Sequence, residues 1–396
     1  MARHRLRRYR LCSRRHLVML RAARRVWDRA ACKGTGHRMQ EELQYAVLHE
    51  FVAPARANLA RATWDYLMGG AETETTHIRN RVAIDSLAFR PRVLRDVEKV
   101  DTGAKLLGRK LRLPVILAPI GSLQDIVAAG GAAPTRAAAS FGVMHMLSSA
   151  CSPGLEAVAA CNEHPKIFQL YVRGDRAWVE DYVARAIAHR YVALCLTVDL
   201  DYYGRRERDL AKRHKATARR GAAADHFQAR FSWADVARLK SKFKIPFILK
   251  GIATAEDAKM AVEHGIEAVY VSNHGGRQLD HGKGCIAVLP EVVEAVAGRA
   301  EIIVDGGFLR GTDIVKAMAL GAHGVGIGRL QGLALAAGGE AALVRALELL
   351  QDEVRRCLGL LGVPSFAELD ASYVAPVAPL ARMGLDSAFP LLEEGY

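Results

Sequence analysis

Residues 301–329 read EIIVDGGFLRGTDIVKAMALGAHGVGIGR. Glu301, Ile302, Ile303 and Val304 make a short β-branched run that ends in the turn Asp305-Gly306-Gly307. Thr312 and Asp313 then open an Ala-rich helical stretch that Gly321 closes, and a second apolar run over 324–327 ends in Gly328-Arg329. A strand, a helix and the next strand in this length of chain are too much for a hairpin and fit a right-handed crossover between parallel strands.

The unit repeats through most of the sequence. Strand-like runs occupy 115–119, 143–147, 167–172, 192–199, 246–251, 268–273, 301–307 and 324–329. Eight such units predict an α/β protein of the (β/α)8 TIM-barrel class rather than an open doubly wound sheet, with the barrel over about 105–355 and an N-terminal helical segment closing it. Thr254 ahead of Glu256 and Asp257 caps one crossover helix and Gly265 ends it. Strand starts lie 22 to 33 residues apart except between the fourth and fifth, where the gap is 54. That interval holds Arg205, Arg206, Glu207 and Arg208 and then an aperiodic stretch over 212–229, the pattern of a lid insertion.

Composition narrows the class. With 396 residues, 51% hydrophobic and 25% charged, the chain buries a large core and is neither fibrous nor mainly disordered. No apolar run approaches the ~18 residues of a membrane span, so no integral membrane segment is expected. The seven cysteines are scattered without a CxxC pair, which suggests neither a disulfide framework nor a metal site and points to a reducing, cytoplasmic setting. The net charge of +14 looks like a nucleic-acid signal until it is located. Residues 1–38 carry 12 Arg and Lys33 against Asp28 alone, a net of +12 that leaves +2 for residues 39–396. The main body therefore has no electrostatic reason to bind nucleic acid. Residues 1–38 read as a basic, disordered extension or an overlong start, with a helix-like stretch opening at Met39. They are Arg-rich like a transit peptide but nearly free of hydroxyl residues, and binding of RNA or an anionic membrane ranks behind both readings.

Barrel active sites sit at the C-terminal ends of the strands, and here those ends are polar. They supply Ser148 and Ser149, Gln169 and Tyr171, Thr197 and Asp199, Lys250, the run from Ser272 to Gln278, Asp305-Gly306-Gly307, and Gly328-Arg329. One such end is ordinary; seven on one rim are a site. The Gly-rich ends of strands seven and eight suit a phosphate, while His274 three residues before Arg277 pairs a proton acceptor with a carboxylate binder. No G-x-G-x-x-G opens a strand-helix unit, so a dinucleotide is not indicated.

Ser272-Asn273-His274-Gly275-Gly276-Arg277-Gln278-Leu279-Asp280 resembles the active-site signature of the FMN-dependent 2-hydroxy-acid oxidases and dehydrogenases, the glycolate oxidase and L-lactate dehydrogenase family. The resemblance runs from about Leu59 onward through Gly69-Gly70-Ala71-Glu72, Phe89-Arg90-Pro91-Arg92, Leu117-Ala118-Pro119, Phe168-Gln169-Leu170-Tyr171, Gly204-Arg205-Arg206-Glu207, Lys250-Gly251 and Ile327-Gly328-Arg329. It implies FMN as cofactor, with Pro119, Ile120, Gly121, Ser148, Gln169, Thr197, Lys250 and Ser272 at its ring and ribityl chain. Asp305, Gly306, Gly307, Phe308, Leu309, Gly328 and Arg329 would hold ribityl and phosphate. His274 would be the general base, Asp199 its charge partner, Arg206 and Arg277 the substrate-carboxylate clamps, and Tyr66 and Tyr171 the orienting hydroxyls.

The resemblance further implies a homo-oligomer, a tetramer, and leaves the electron acceptor open among O2, a quinone and a separate cytochrome. Leu309 departs from the family, whose members often have an arginine there that reaches the phosphate, so Arg329, Arg310 or backbone amides must serve. Ala150 and Leu67 replace bulkier aromatics and reshape the pocket, and Gly121 lacks a side chain often found beside the flavin. The lid looks short and has no apolar membrane-inserting segment. The alternative is an FMN-binding isomerase of the same superfamily acting on a phosphorylated substrate, which has no need of the His274, Arg277 and Arg206 set. A nucleic-acid or membrane binder working through residues 1–38 is the third reading.

Overall fold

The computed structural model describes residues 45–219, 227–379 and 385–395. Eight parallel strands close into a barrel: β1 (Val115–Leu117), β2 (Met144–Ser148), β3 (Lys166–Leu170), β4 (Ala193–Thr197), β5 (Phe247–Ile252), β6 (Ala268–Val271), β7 (Glu301–Val304) and β8 (Gly324–Ile327). Neighbours in sequence are neighbours in the ladder, and β8 pairs with β1 through Val325↔Val115 and Ile327↔Leu117. Side chains fill the inside and helices cover the outside, so the strands are buried on both faces and read as continuous apolar runs. Ile116, Met144, Met146, Ile167, Ile248, Tyr270 and Ile303 pack the interior. A hairpin of Ala104–Leu106 and Arg109–Leu111 adds Leu106 and Leu111 to that core. Each such leucine contributes roughly 1.5–3 kcal/mol by burial.

All eight expected strands are present, but most stop short of the expected ends. Pro119, Val172, Asp199, Asn273 and Gly307 lie in loops, and Arg329 opens a helix. These polar and Gly-rich ends leave the ladder because their groups face the rim. At β5 the departure is a bulge between Lys250 and Ile252, where Gly251 takes φ 115°. A Cβ there would lie 2.7 Å from the Asp199 Cβ, so only glycine lets the two strand ends come this close.

Before the barrel come helices Val52–Asn58, α1 (Arg61–Met68) and α2 (Thr75–Asp85). The helix expected from Met39 is not seen at 45–47, of which 46 and 47 form a bend, and a 3-10 turn begins at Leu48; residues 1–38, and those up to 44, lie outside the described residues. The crossover helix Ala255–Glu263 has Thr254 as its cap, with Thr254 Oγ1 accepting from Asp257 N at 3.2 Å. The helix after β7, α3 (Gly311–Ala319), starts ahead of Thr312 because the Asp313 carboxylate accepts from the backbone N–H groups of Leu309 and Arg310 at 2.9 and 3.0 Å. The final helix, α4 (Arg329–Leu361), is broken at Gly338-Gly339, where Gly339 has φ 67°.

Among the described residues, the long β4–β5 connection contains the short helical pieces Glu207–Ala211, Thr217–Arg219 and Phe227–Arg230 and then the crossover helix Trp233–Lys242. Gln228 clasps it to the rim, accepting from Val172 N at 2.8 Å and donating to Thr197 O at 3.1 Å. No helix among the described residues is long and apolar enough to cross a membrane.

Candidate active site

A cavity of about 350 Å³ opens at the C-terminal rim. Tyr66, Pro119, Ile120, Gly121, Tyr171, Arg206, Lys250, His274, Arg277, Asp305, Gly306, Gly307, Phe308, Leu309, Gly328 and Arg329 all line it. Ser148, Gln169, Thr197 and Ser272 are buried at the strand ends around it, and half-buried Asp199 is tied to it through His274.

The strand-six turn aims the central imidazole. His274, Gly275 and Gly276 take φ values of 58°, 66° and 76°, three left-handed residues in succession. For a non-glycine this costs roughly 1–2 kcal/mol, and such strain collects at functional positions. His274 N donates to Ser272 Oγ at 3.1 Å, and the ring meets Asp199 through Nδ1···Oδ1 at 3.0 Å. An ionised carboxylate only accepts, so Nδ1 carries the proton and Nε2 keeps its lone pair. Nε2 accepts from the Tyr171 hydroxyl at 3.3 Å. Burial lowers the His274 pKa below the usual imidazole value even though Asp199 pulls it up. Burial would raise Asp199, but attraction to His274, their hydrogen bond and Lys250 outweigh that and hold it ionised.

Across the cavity stand two guanidiniums with no ion pair among the described residues. Arg277 donates to Gly69 O at 2.9 Å and packs on the Tyr66 ring at 4.9 Å; Arg206 donates to Arg277 O at 3.4 Å and to the Tyr203 hydroxyl. Burial and then the charge of Arg206 lower the pKa of Arg277, so a carboxylate is the complement this corner lacks. The Tyr66 hydroxyl donates to Gly121 O at 3.1 Å.

Beneath lies a row that suits a flavin. Lys250 Nζ donates to Ser272 Oγ at 2.9 Å and stands 3.5 Å from Asp305 Oδ2. Burial disfavours its charge, yet Asp305 and Asp199 more than restore it. Gln169 Nε2 donates to Thr197 Oγ1 at 2.8 Å, while Gln169 Oε1 and Asp305 Oδ1 are buried without a hydrogen-bond partner among the described residues. A Cβ on Gly328 would meet nothing within 4 Å and would project into the space that a cofactor needs. Arg329 donates to Met68 O and Gly69 O and, with no ion pair among the described residues, has its pKa lowered to about 9 by burial and then by Arg277. An acceptor-seeking cation, orphaned buried oxygens and an open Gly-rich cradle fit FMN.

The structure removes one expected option at the phosphate end. Arg310 turns away to Glu353 at 2.5 Å and Ala388 O at 2.9 Å, and its amide, like that of Leu309, is taken by Asp313. Tyr203, at the start of the β4–β5 connection, and His77, on α2, both line the cavity without having been expected from the sequence.

The class defined by this barrel and rim is a flavin-dependent oxidoreductase, and comparison makes it specific. The profile described as FMN-dependent dehydrogenase matches residues 55–376. Glycolate oxidase from Spinacia oleracea is 38% identical over 83% of this chain and 95% of its own length. L-lactate oxidase from a Nostoc strain is 37% identical over 83% and 97%. A soluble mutant of the membrane-associated (S)-mandelate dehydrogenase from Pseudomonas putida superposes with a TM-score of 0.79 at 32% identity, covering 83% of this chain and 99% of that one. The chain belongs to the FMN-dependent 2-hydroxy-acid oxidase and dehydrogenase family. Its cofactor is FMN, and it catalyses FMN-dependent oxidation of a 2-hydroxy acid.

Proposed function

We propose that the substrate is an L-2-hydroxy acid whose carboxylate is clamped by Arg206 and Arg277 and whose proton is taken by His274 Nε2. The observation that carries this reading is the His274–Asp199 hydrogen bond at 3.0 Å, which leaves the Nε2 lone pair toward the Tyr171 hydroxyl in a cavity that Arg206 and Arg277 also line. The guanidinium fork matches a carboxylate in two-pronged fashion and fixes the carbon that bears the hydroxyl. Tyr171 and Tyr66 orient that hydroxyl, and Asp199 stabilises the imidazolium as the proton arrives. When bound, FMN accepts the two electrons that leave the substrate. Lys250 holds positive charge at the base of the site, beside Gln169, Thr197, Ser148, Ser272 and the backbone of 119–121, which we assign to the ring and ribityl chain. We assign Asp305, Gly306, Gly307, Phe308, Leu309, Gly328 and Arg329 to ribityl and phosphate. An isomerase acting on a phosphorylated substrate would leave the His274, Arg206 and Arg277 set without work.

The pH dependence follows from the base. Neutral His274 is the active form, so flavin reduction by substrate is lost as pH falls through its pKa and is full at neutral pH, because burial holds that pKa below the usual value. Asp199→Asn removes the attraction that raises it. The acid limb then moves to lower pH while the plateau rate drops. An unchanged limb in stopped-flow reduction would contradict the pairing.

Ala150, Leu67 and Gly121 leave room beside the substrate, so kcat/KM should rise from glycolate to longer or aromatic L-2-hydroxy acids, as steady-state assays with an artificial acceptor would read. Comparing O2, quinone and cytochrome as oxidants decides the acceptor. Cys151, Cys161, Cys195, Cys285 and Cys357 are free thiols, which supports the cytoplasmic reading, and light scattering reads the proposed tetramer. Deleting residues 1–38 should leave turnover intact while the net charge falls from +14 to +2. Loss of FMN on that deletion would contradict the division into extension and catalytic domain.

A further inference from the structure

The cavity wall includes, beside the strand-six turn, a side chain that the chemistry above does not use. On α2, His77, Asn80 and Arg81 share one face by their three- and four-residue spacing. That face lies against the β7 loop: a Cβ on Gly306 would come within 2.8 Å of Asn80 Oδ1. Asn80 is committed, donating to Asn273 Oδ1 at 2.9 Å and accepting from Cys285 N at 3.0 Å. Arg81 is committed too, reaching Asp313 at 2.6 Å, Asp85 at 2.5 Å and Gly307 O at 3.1 Å. His77 is not: its Nδ1 is buried and has no hydrogen-bond partner among the described residues.

His77 and Arg329 flank the same backbone. A Cβ on Gly276 would lie 2.5 Å from the His77 Cα, and one on Gly275 would lie 3.0 Å from Arg329 Nη1. The charges facing this imidazole are Arg329, then Arg277 and Arg208, and Arg208 is itself paired with Glu74 at 2.6 Å. Those cations, Arg329 first, together with burial hold His77 neutral down to about 2. Leu309 is apolar, Arg310 belongs to Glu353, and the amides of Leu309 and Arg310 belong to Asp313. A phosphate monoester entering this end finds the Arg329 side chain and the backbone of 306–308, and a second side-chain donor would complete its shell.

We propose that His77 is that donor, its Nδ1–H binding the FMN phosphate beside Arg329. The inference rests on the cofactor assignment above and adds to it a residue from outside the strand ends. A dianionic phosphate offers only acceptors, so the tautomer with the proton on Nδ1 is the one selected. Riboflavin, which lacks the phosphate, gains nothing from the residue.

The test is equilibrium dialysis of the full chain against FMN and against riboflavin. His77→Leu should raise the Kd for FMN by about tenfold or more, the factor expected for one hydrogen bond to a charged group, with the Kd for riboflavin unchanged. His77→Asn, whose amide N–H stands near the place of Nδ1, should recover most of that loss. Equal weakening for both ligands means that His77 only supports the wall and overturns the proposal, as does an unchanged FMN Kd in His77→Leu. Wild-type protein that binds FMN no better than riboflavin would instead overturn the placement of the phosphate at β7 and β8, and this inference with it.

Discussion

His274→Gln lowers the rate of anaerobic flavin reduction by substrate by at least ~10², the lower end of what a positioned acid or base contributes. The glutamine amide can still donate to Asp199 and fills similar space, so FMN stays bound and its spectrum is little altered. What disappears is a neutral nitrogen lone pair on the cavity side, because a carboxamide is not a base near neutral pH. The loss is specific to the reductive half. Reoxidation of chemically reduced flavin should proceed at the wild-type rate in the same rapid-mixing apparatus. Wild-type reduction by His274→Gln would remove the imidazole from the reaction altogether.

Arg277→Lys keeps the charge and loses the fork. The guanidinium is fixed from behind by Gly69 O at 2.9 Å and by the Tyr66 ring at 4.9 Å, so its remaining N–H groups are preorganised for a carboxylate. An ammonium at the end of a flexible stem cannot satisfy the ring, the carbonyl and two carboxylate oxygens at once. Losing the charge-assisted hydrogen bonds of the fork costs about 2 kcal/mol, so kcat/KM should fall ~30-fold, chiefly through KM. Titration of the oxidised enzyme with a non-reacting 2-oxo acid should show the same weakening. A KM at the wild-type value with kcat depressed would assign Arg277 to the transition state instead of to binding.

The barrel was legible because parallel strands buried on both faces must be apolar throughout, as in Ala193–Thr197, and because helical stretches follow them, as at Ala255–Glu263 behind its Thr254 cap. The rim was legible for the complementary reason, since polar groups such as Asp199, Lys250 and His274 recur at seven strand ends that share one rim. Strand ends were read too long because polarity says where a chain faces a site, not where the ladder breaks. Gly251 shows the difference: its positive φ ends regular pairing for the sake of Asp199 beside it. His77 and Tyr203 were not legible, since α2 and the lid reach the cavity by tertiary packing that leaves no local period. Arg310 illustrates the reverse, a cation at the right position in sequence that Glu353 turns to the outside.

This rim delivers the electrons of a 2-hydroxy acid to FMN. Anaerobic titration of the purified yellow protein with L-lactate, glycolate, (S)-mandelate and longer L-2-hydroxy acids, with the visible flavin band followed, tests it most directly. At least one of these acids should bleach the band, with one equivalent of its 2-oxo acid formed per FMN reduced. A band that dithionite bleaches but that none of these acids touches would contradict it.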